Sequence, residues 1–364
     1  MSARRRFALA LLTTLTAGLA LAAPSFGAYV HLYSFGREGK APGQFGSGIL
    51  GGGAGKQWDN PGGIGIAPNG DVLVVDVSNN RVQRFTRQGR FLSKFGSRGR
   101  DAGYVQFKLT DKFFIPEGLA VDGAGNIYVA DGGNDRVMKF NPRGRFQWRY
   151  TRTGSFPGEV VQPWGVALGG GNIFVSDQGN YEIDRFGIAT GGRWRGAFGS
   201  FGRQPGQFVH PYGVAATPGG EVVWVADYIR NKVIAYTGRG AFLSEFGASG
   251  RGRGEFLKPA GIARGPDGTL FVADRCNWRV QHFTADGQFI ESFGEGSLAS
   301  PTFLAVDRTG RVFVSDYHRV AVYGPSGSTR ARTPARAAHH NGIDIYCRHV
   351  GPNYGAPDRR APQR

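Results

Sequence analysis

The sequence lacks the short motifs that identify several common classes of enzyme. Neither the Gly-x-Ser-x-Gly motif of serine hydrolases nor the His-Glu-x-x-His motif of zinc proteases occurs among its 364 residues. Cysteine is scarce, with only Cys276 and Cys347 present, and the seven histidines are scattered along the chain. Because a zinc site needs several converging ligands, the sequence predicts no catalytic residue, no resident metal and no other cofactor.

Long apolar segments are also lacking, apart from the run Phe7–Ala23, which follows the three arginines Arg4–Arg6. This pattern, with small residues near a cleavage site, predicts a signal peptide over residues 1–22 and therefore secretion. The segment Arg4–Phe7 also resembles the core of a twin-arginine signal, so both export routes stay open. No later segment has the ~20 apolar residues that a transmembrane helix needs.

What the sequence does have is a repeated unit, whose clearest copy lies between Asn60 and Gly96. This copy contains four short runs rich in β-branched or aromatic residues, separated by turns of Gly, Asn and Pro. The runs are Ile64–Ile66, Val72–Val75, Arg81–Phe85 and Phe91–Phe95. Such a pattern predicts an antiparallel four-stranded sheet. One such sheet cannot bury itself, so it needs neighbours of the same kind.

The unit recurs along most of the chain, and its second run always ends on an aspartate. These aspartates are Asp76, Asp131, Asp177, Asp227, Asp274 and Asp316. Their spacing of roughly 40–55 residues is typical of propeller blades. Pro-x-Gly begins the first five copies, and copies one, two and five contain an intact Asp-x-x-Asn-x-Arg corner. Glu182 and Lys232 replace the arginine in copies three and four, and the sixth corner is shortened.

These copies resemble NHL repeats, and the resemblance covers roughly residues 30–323. It implies an all-β fold, a six-bladed β-propeller. The segment Tyr29–Gly36 matches the fourth run of other copies, whereas the last copy stops after its third run, Val320–Tyr323. We therefore expect the N-terminal strand to complete the last blade and close the ring, which removes an unpaired sheet edge.

Three segments follow from this organisation. The signal peptide is succeeded by a propeller domain over residues 23–323, and residues 324–364 form a basic tail. That tail is expected to be mostly disordered, with a candidate docking segment at 341–350. Of the net charge of +17, the tail contributes seven arginines against two aspartates. The positive charge of the propeller itself suits either a solvated surface or attraction of polyanions.

The expected inner strands offer little chemistry. Their middle residue is Gly or Ala in every copy, which suits close packing, and Arg264 is the charged residue among them. The aspartate that ends each second strand recurs in every copy, whereas a catalytic residue is usually unique. We therefore expect these aspartates to accept hydrogen bonds from the backbone or from arginine at their corners.

Candidate binding residues lie on one face of the propeller, here called the top face. It carries the corners between second and third strands and the connectors, meaning the segments that join one blade to the next. The residues that follow each initial proline and each corner aspartate differ between copies. The candidates among them are Glu117, Trp164, Tyr212, Tyr228, Arg275 and Tyr317. Exposed aromatic residues with arginine suit a recognition surface; the alternative is that they plug the central channel.

Three functional classes remain open. The favoured one is a secreted or cell-surface binding module, similar to the extracellular propeller sensors of bacterial receptor kinases. Its ligand would be a protein, a glycan or a cell-wall component, and the protein itself would be a monomer without enzymatic activity. An enzyme similar to the amidating lyases is the second class, although no equivalent set of histidines is present. The third is a polyanion binder, since some basic NHL propellers bind RNA, but secretion argues against a nucleic-acid partner.

The two cysteines are a candidate disulfide. Cys276 lies in the corner of the fifth copy, and Cys347 lies in the one stretch of the tail with apolar residues. In an oxidising compartment two such cysteines can pair. The alternative is a buried Cys276 that packs as a small apolar residue and a free thiol in the tail.

Overall fold

Six antiparallel sheets of four strands form the blades of a propeller in the computed structural model. The structure describes residues 28–46, 61–99, 112–328 and 347. The predicted signal peptide lies outside the described residues, as does the candidate docking segment except for Cys347. No helix within the described ranges is long and apolar enough to cross a membrane.

The first three blades each use four strands that follow one another in the chain, from the innermost to the outermost. Blade 1 consists of Ile64–Ile66, Val72–Asp76, Arg81–Phe85 and Phe91–Phe95. Blade 2 consists of Pro116–Val121, Ile127–Asp131, Arg136–Phe140 and Phe146–Tyr150. Blade 3 consists of Pro163–Gly169, Asn172–Asp177, Glu182–Gly187 and Arg193–Phe198.

Blades 4 and 5 have the same order, whereas blade 6 takes its outermost strand from the beginning of the chain. Blade 4 consists of Pro211–Ala216, Val222–Asp227, Lys232–Thr237 and Phe242–Phe246. Blade 5 consists of Pro259–Arg264, Leu270–Asp274, Arg279–Phe283 and Phe289–Phe293. Blade 6 consists of Pro301–Val306, Val312–Asp316, Arg319–Pro325 and Tyr29–Phe35.

Several short elements lie on the top face. Two-residue strands pair in parallel within connectors, and two 3-10 turns form the corners of blades 2 and 5. The strand pairs are Ser97–Arg98 with Lys112–Phe113 and Ala248–Ser249 with Glu255–Phe256, and the turns are Gly132–Asn134 and Arg275–Asn277.

The hydrophobic core lies between neighbouring blades. The second strands are buried on both faces, as Val72–Asp76 and Ile127–Asp131 show, because each blade is covered by the next. Leu73 of blade 1 packs in one cluster with Val129 of blade 2. This packing explains why the second runs are nearly continuous in apolar residues rather than alternating with polar ones.

The N-terminal strand closes the ring, as the sequence predicted. Tyr29–Phe35 pairs antiparallel with Arg319–Pro325, a third strand that extends two residues beyond the predicted end at Tyr323. The Tyr29 ring stacks on Phe293 of blade 5, with centroids 4.8 Å apart. Phe35 packs against Phe85 of blade 1, with centroids 5.0 Å apart. One strand therefore connects three blades.

Glycine in the Pro-x-Gly sequences lets the inner strands approach one another at the axis. A Cβ atom on Gly118 would lie 2.1 Å from the carbonyl oxygen of Trp164 in the next blade. Blade 6 has Phe303 at this position, and its side chain packs in an aromatic cluster with Tyr212. Glycine at this position therefore serves the close packing of the inner strands.

Candidate functional site

The corner aspartates hold the connectors of the top face in place. All six are fully buried. Asp131 accepts a hydrogen bond from the backbone N–H of Phe114 at 2.8 Å, and Asp316 accepts one from Ala299 at 2.7 Å. Arg136 Nε also donates to Asp131 at 2.7 Å. These carboxylates therefore position the loops and have the structural contacts that their recurrence indicated.

Four of the six predicted top-face residues are buried. The exposed fraction is 1% for Tyr212, 2% for Glu117, 5% for Arg275 and 6% for Tyr228. Trp164 and Tyr317 are half-buried and thus more accessible to solvent. A ligand on this face would meet Trp164 and Tyr317 directly, whereas the other four residues would lie beneath it.

Tyr212 is the centre of an aromatic cluster from blades 3, 4 and 6, against which Ala260 of blade 5 also packs. Its ring centroid lies 4.5 Å from that of Trp164, 5.6 Å from Tyr228 and 5.4 Å from Phe303. Because these side chains come from several blades, they fill the upper end of the channel. Trp164 packs edge-on against the ring of Tyr212 in this cluster.

His210 belongs to the same cluster. Its ring lies 5.4 Å from Trp164 and 5.5 Å from Tyr228, measured between centroids. Burial is the main cause that lowers the pKa of His210 to about 4, and the positive charge of Lys258 adds to it. The imidazole is therefore neutral at physiological pH.

Each blade has a corner residue in the left-handed backbone conformation, immediately before the third strand. The six are Asn80, Asp135, Tyr181, Asn231, Trp278 and His318, with φ between 49° and 63°. In blades 1, 2 and 4 the corner side chain accepts a hydrogen bond from the N–H that precedes the next blade, at 3.0, 2.8 and 2.7 Å. Asn and Asp tolerate this conformation better than other non-glycine residues, whereas bulky side chains are outliers there.

Tyr181 and Trp278 therefore occupy positions where an Asn would suit both the backbone and the next blade. Both side chains are accessible, and Trp278 is 37% exposed. Tyr181 packs edge-to-face on Phe201 of the adjacent connector, with centroids 4.8 Å apart. Phe201 and Phe156, another connector residue, are 54% and 75% exposed. We call Phe156, Tyr181, Phe201 and Trp278 the aromatic rim.

Sequence reasoning missed the aromatic rim because it examined only the residues next to the initial prolines and the corner aspartates. The sequence does contain a pattern that indicates these residues: at the position before the third strand, aromatic residues replace the Asn or Asp of other copies. The pattern can be recognised only if that position is known to adopt a positive φ.

The connectors also bear exposed positive charge. Their exposed basic residues within the described ranges are Arg37, Lys40, Arg98, Arg152, Arg203, Arg251 and Arg253. Exposed acidic residues on these segments are Glu38 and Glu295. The top face therefore combines accessible aromatic rings with an excess of cationic side chains.

The opposite end of the channel contains a cavity of about 510 Å³. It is lined by the last residues of inner strands, including Val121, Leu168, Ala216, Arg264 and Val306. Its volume is in the range of small-molecule sites. The sequence placed Arg264 in the channel but assigned binding to the top face alone.

Cys276 and Cys347 form a disulfide, with their Cα atoms 5.4 Å apart. Cys276 is buried in the corner of blade 5, and its N–H donates to Leu257 O at 3.0 Å. The bond fixes Cys347 at the top face, because its partner Cys276 lies two residues before the rim residue Trp278.

Comparisons with known proteins agree with this architecture. Residues 59–85, 115–140 and 256–283 match the NHL repeat. NHL repeat-containing protein 3 of Homo sapiens is 32% identical over 88 residues, which is 23% of this chain and 23% of that protein. The chain thus aligns with about a quarter of the length of this relative.

Two solved structures are similar in fold. A gluconolactonase from Xanthomonas campestris has a TM-score of 0.54 and 15% identity, covering 72% of this chain and 85% of that one. A streptogramin B lyase has a TM-score of 0.52 and 16% identity, covering 72% of this chain and 93% of that one. At such identities the likeness concerns the propeller fold alone.

Proposed function

Because this chain is a six-bladed β-propeller built from NHL repeats, we propose that it is a secreted or cell-surface binding module. Its ligand is an acidic protein surface, bound by the aromatic rim and the basic connectors of the top face. Secretion is proposed from the basic and apolar N-terminal segment, and a monomer is proposed as the binding unit.

The observation that carries this proposal is the pair of aromatic residues in left-handed corners. A non-glycine residue in this conformation costs of order 1 kcal/mol. Tyr181 and Trp278 incur this cost without the hydrogen bond that Asn80, Asp135 or Asn231 makes to the next blade. The left-handed corner itself recurs in every blade and belongs to the fold, so the aromatic residue is what distinguishes blades 3 and 5. Ligand contact is a reason for an accessible aromatic ring to occupy such a position.

Electrostatics favours an acidic partner. Seven exposed basic residues lie on the described connectors, against two exposed acidic ones. Complementary charge accelerates encounter and selects among partners, while buried aromatic contacts supply most of the affinity.

The lower cavity favours a second function, a small-molecule or enzymatic site. Its 510 Å³ would accommodate a small ligand, and Arg264 would provide a positive charge there. The similar structures named above are a lactonase and a lyase, but only the fold is shared. Arg264→Ala tests this alternative, because it should abolish binding at the cavity and leave the top face unaffected.

Crosslinking combined with a stability measurement tests the proposed function. A photo-crosslinking amino acid at position 201 should form adducts with the partner, whereas the same residue at position 92 should not. Leu92 is the control, since it is an exposed apolar residue on an outer strand, with an exposed fraction of 38% against 54% for Phe201.

The identified partner is then titrated with corner variants. Tyr181→Asn and Trp278→Asn should each weaken the dissociation constant by at least about tenfold. They should leave the melting temperature unchanged or slightly higher, since Asn suits the left-handed corner. Loss of binding therefore cannot arise from unfolding. Equal crosslinking from position 92, or wild-type affinity in both single variants, would show that the rim is not the binding surface.

A further inference from the structure

Blade 1 shows how the negative charge of a buried corner aspartate is balanced in an intact corner. Arg81 Nε donates to Asp76 at 2.7 Å, and Gln83 Nε2 donates to it at 3.1 Å. The same pair of bonds occurs at the corner of blade 5. One carboxylate thus meets one guanidinium and one amide, and the buried group is neutral overall.

Blade 3 differs at both of these positions. Glu182 lies opposite Asp177 in the strand register, where blade 1 has its arginine, and Asp184 takes the place of the glutamine. Carboxylate oxygens of the three residues lie within 4.8 Å of one another. Three acidic side chains thus replace a group that is neutral overall, and the corner has no arginine among these positions to balance their negative charge.

Asp184 is fully buried, and one of its oxygens lacks a donor. Trp194 Nε1 donates to Asp184 Oδ1 at 2.8 Å, whereas Oδ2 has no hydrogen-bond partner within the described residues. Burial and the neighbouring Asp177 raise the pKa of Asp184 to about 8, and burial raises that of Glu182 to about 7. A buried carboxylate oxygen needs a donor, a proton or a cation.

The connector before blade 3 shows a second difference. Arg81 donates to three carbonyl oxygens of the connector before blade 1, each at 2.9 Å, and an arginine donates to two such oxygens in blades 4 and 5. The connector of blade 3 makes the same turn, since Glu159 N–H donates to Phe156 O at 2.8 Å. Residue 182 is acidic there and brings no guanidinium to these carbonyls. The Asn180 side chain donates to Glu159 O at 3.2 Å instead, which leaves one lone pair of that carbonyl for a further partner.

We propose that a calcium ion binds between Asp177, Glu182 and Asp184, in the position that a guanidinium occupies in other blades. The connector carbonyl of Glu159 serves as a further ligand, because its counterpart in blade 1 accepts hydrogen bonds from the arginine and the glutamine. The ion would couple the connector to the corner, as the arginine does elsewhere.

Ligand chemistry selects calcium among common cations. The donors are all oxygen atoms, which hard cations prefer and which argues against zinc. Calcium takes oxygen ligands at about 2.3–2.6 Å, so ligands on opposite sides of it are separated by up to ~5 Å. The spacing of up to 4.8 Å between the carboxylate oxygens fits this geometry. Magnesium requires tighter octahedral spacing and retains its water.

Terbium luminescence and thermal melting test the site in the full secreted protein. Tb³⁺ substitutes for Ca²⁺ and emits when a nearby tryptophan transfers energy, and Trp194 is in direct contact with Asp184. Tb³⁺ emission excited through tryptophan should therefore appear and be displaced by Ca²⁺. At pH 7.5, 5 mM Ca²⁺ should raise the melting temperature by roughly 3–5 °C relative to EDTA.

A double variant provides the decisive comparison. Glu182→Arg with Asp184→Gln restores the arrangement of blades 1 and 5, so it should fold without calcium and lose both responses. Asp184→Asn is a milder second variant that can still accept the bond from Trp194. Glu38→Gln, which removes an exposed connector carboxylate, is the control and should respond as the wild type does.

Two results would overturn the proposal. One is the absence of specific binding: the wild type shows neither a calcium-dependent shift in melting temperature nor terbium emission, or the double variant retains both responses. The other is a shared proton between Asp177 and Asp184 in place of the ion. A shared proton would make the protein more stable as the pH is lowered from 8 to 5, and neither calcium nor EDTA would change the melting temperature.

Discussion

At the scale of single residues, burial decides which top-face groups can change their charge. His210 lies inside the aromatic cluster, and its pKa is lowered to about 4, mainly by burial. A histidine whose folded pKa is below its unfolded value binds fewer protons in the folded state. Its contribution to stability is therefore complete above about pH 6.5 and is lost as the pH falls toward 4.

We expect the fluorescence of Trp164 to report this titration. A protonated imidazole quenches an adjacent indole, and the two rings are 5.4 Å apart. The difference in emission between the wild type and Trp164→Phe should decrease with a midpoint near pH 4. His210→Asn should abolish the transition. A midpoint near pH 6.5 would mean that His210 is solvated and that the cluster is open.

Several residue roles could not be predicted from the sequence. The corner aspartates were correctly interpreted because repetition itself indicates a structural role. The burial of Tyr212 and Tyr228 depends on how closely six inner strands converge, which no local pattern shows. The acidic group of blade 3 was partly visible in Glu182, but Asp184 joins it only through the antiparallel register.

At the scale of elements, the closing strand is the feature that sequence comparison predicted best. Tyr29–Phe35 could be recognised because its Phe-Gly ending recurs in the outermost strands of other blades. Its contacts could not be foreseen, since they involve blades 5 and 1 as well as blade 6. Tyr29 OH donates to Gly310 O at 2.9 Å, and its backbone N–H donates to Glu291 at 3.1 Å.

Deletion of residues 28–36 should therefore destabilise the whole propeller. Leu32 and Phe35 are more than nine-tenths buried. Together with the loss of Tyr29, their loss should lower the free energy of unfolding by about 5 kcal/mol, which is comparable to the total stability of many domains.

The control is truncation after Ser328, which leaves every described strand intact. Both are compared by thermal melting under reducing conditions, because the truncation also removes Cys347. Equal melting temperatures for the deletion and the intact chain would contradict closure by this strand.

At the scale of the whole molecule, the two faces of the propeller differ in kind. The top face is closed by aromatic side chains and surrounded by basic connectors, whereas the bottom of the channel opens into a cavity. The all-β class and the number of blades were predictable, because each repeat carries its own turns and strand ends. The cavity was not, because its walls come from five blades that are far apart in the chain.

The disulfide connects the C-terminal tail to the proposed binding face, so reduction should alter that face. Cys276 is separated by 71 residues from Cys347 and lies two residues before Trp278. We expect a non-reduced digest of the protein to contain the Cys276 and Cys347 peptides joined, as mass spectrometry would show. After reduction, iodide should quench Trp278 more strongly, measured as the difference from Trp278→Phe.

Trp148, on the outermost strand of blade 2, provides the reference, and its quenching should not change with reduction. The physical reason is covalent: the bond holds Cys347 at the corner of blade 5, so we expect it to limit the access of iodide to the nearby indole. Loop closure over so many residues should also stabilise the oxidised protein, by up to about 4 kcal/mol in the chain-entropy treatment. A Cys276 peptide recovered only as the free thiol would show that the disulfide does not form. Joined peptides with unchanged quenching of Trp278 would show that the disulfide forms but does not affect the binding face.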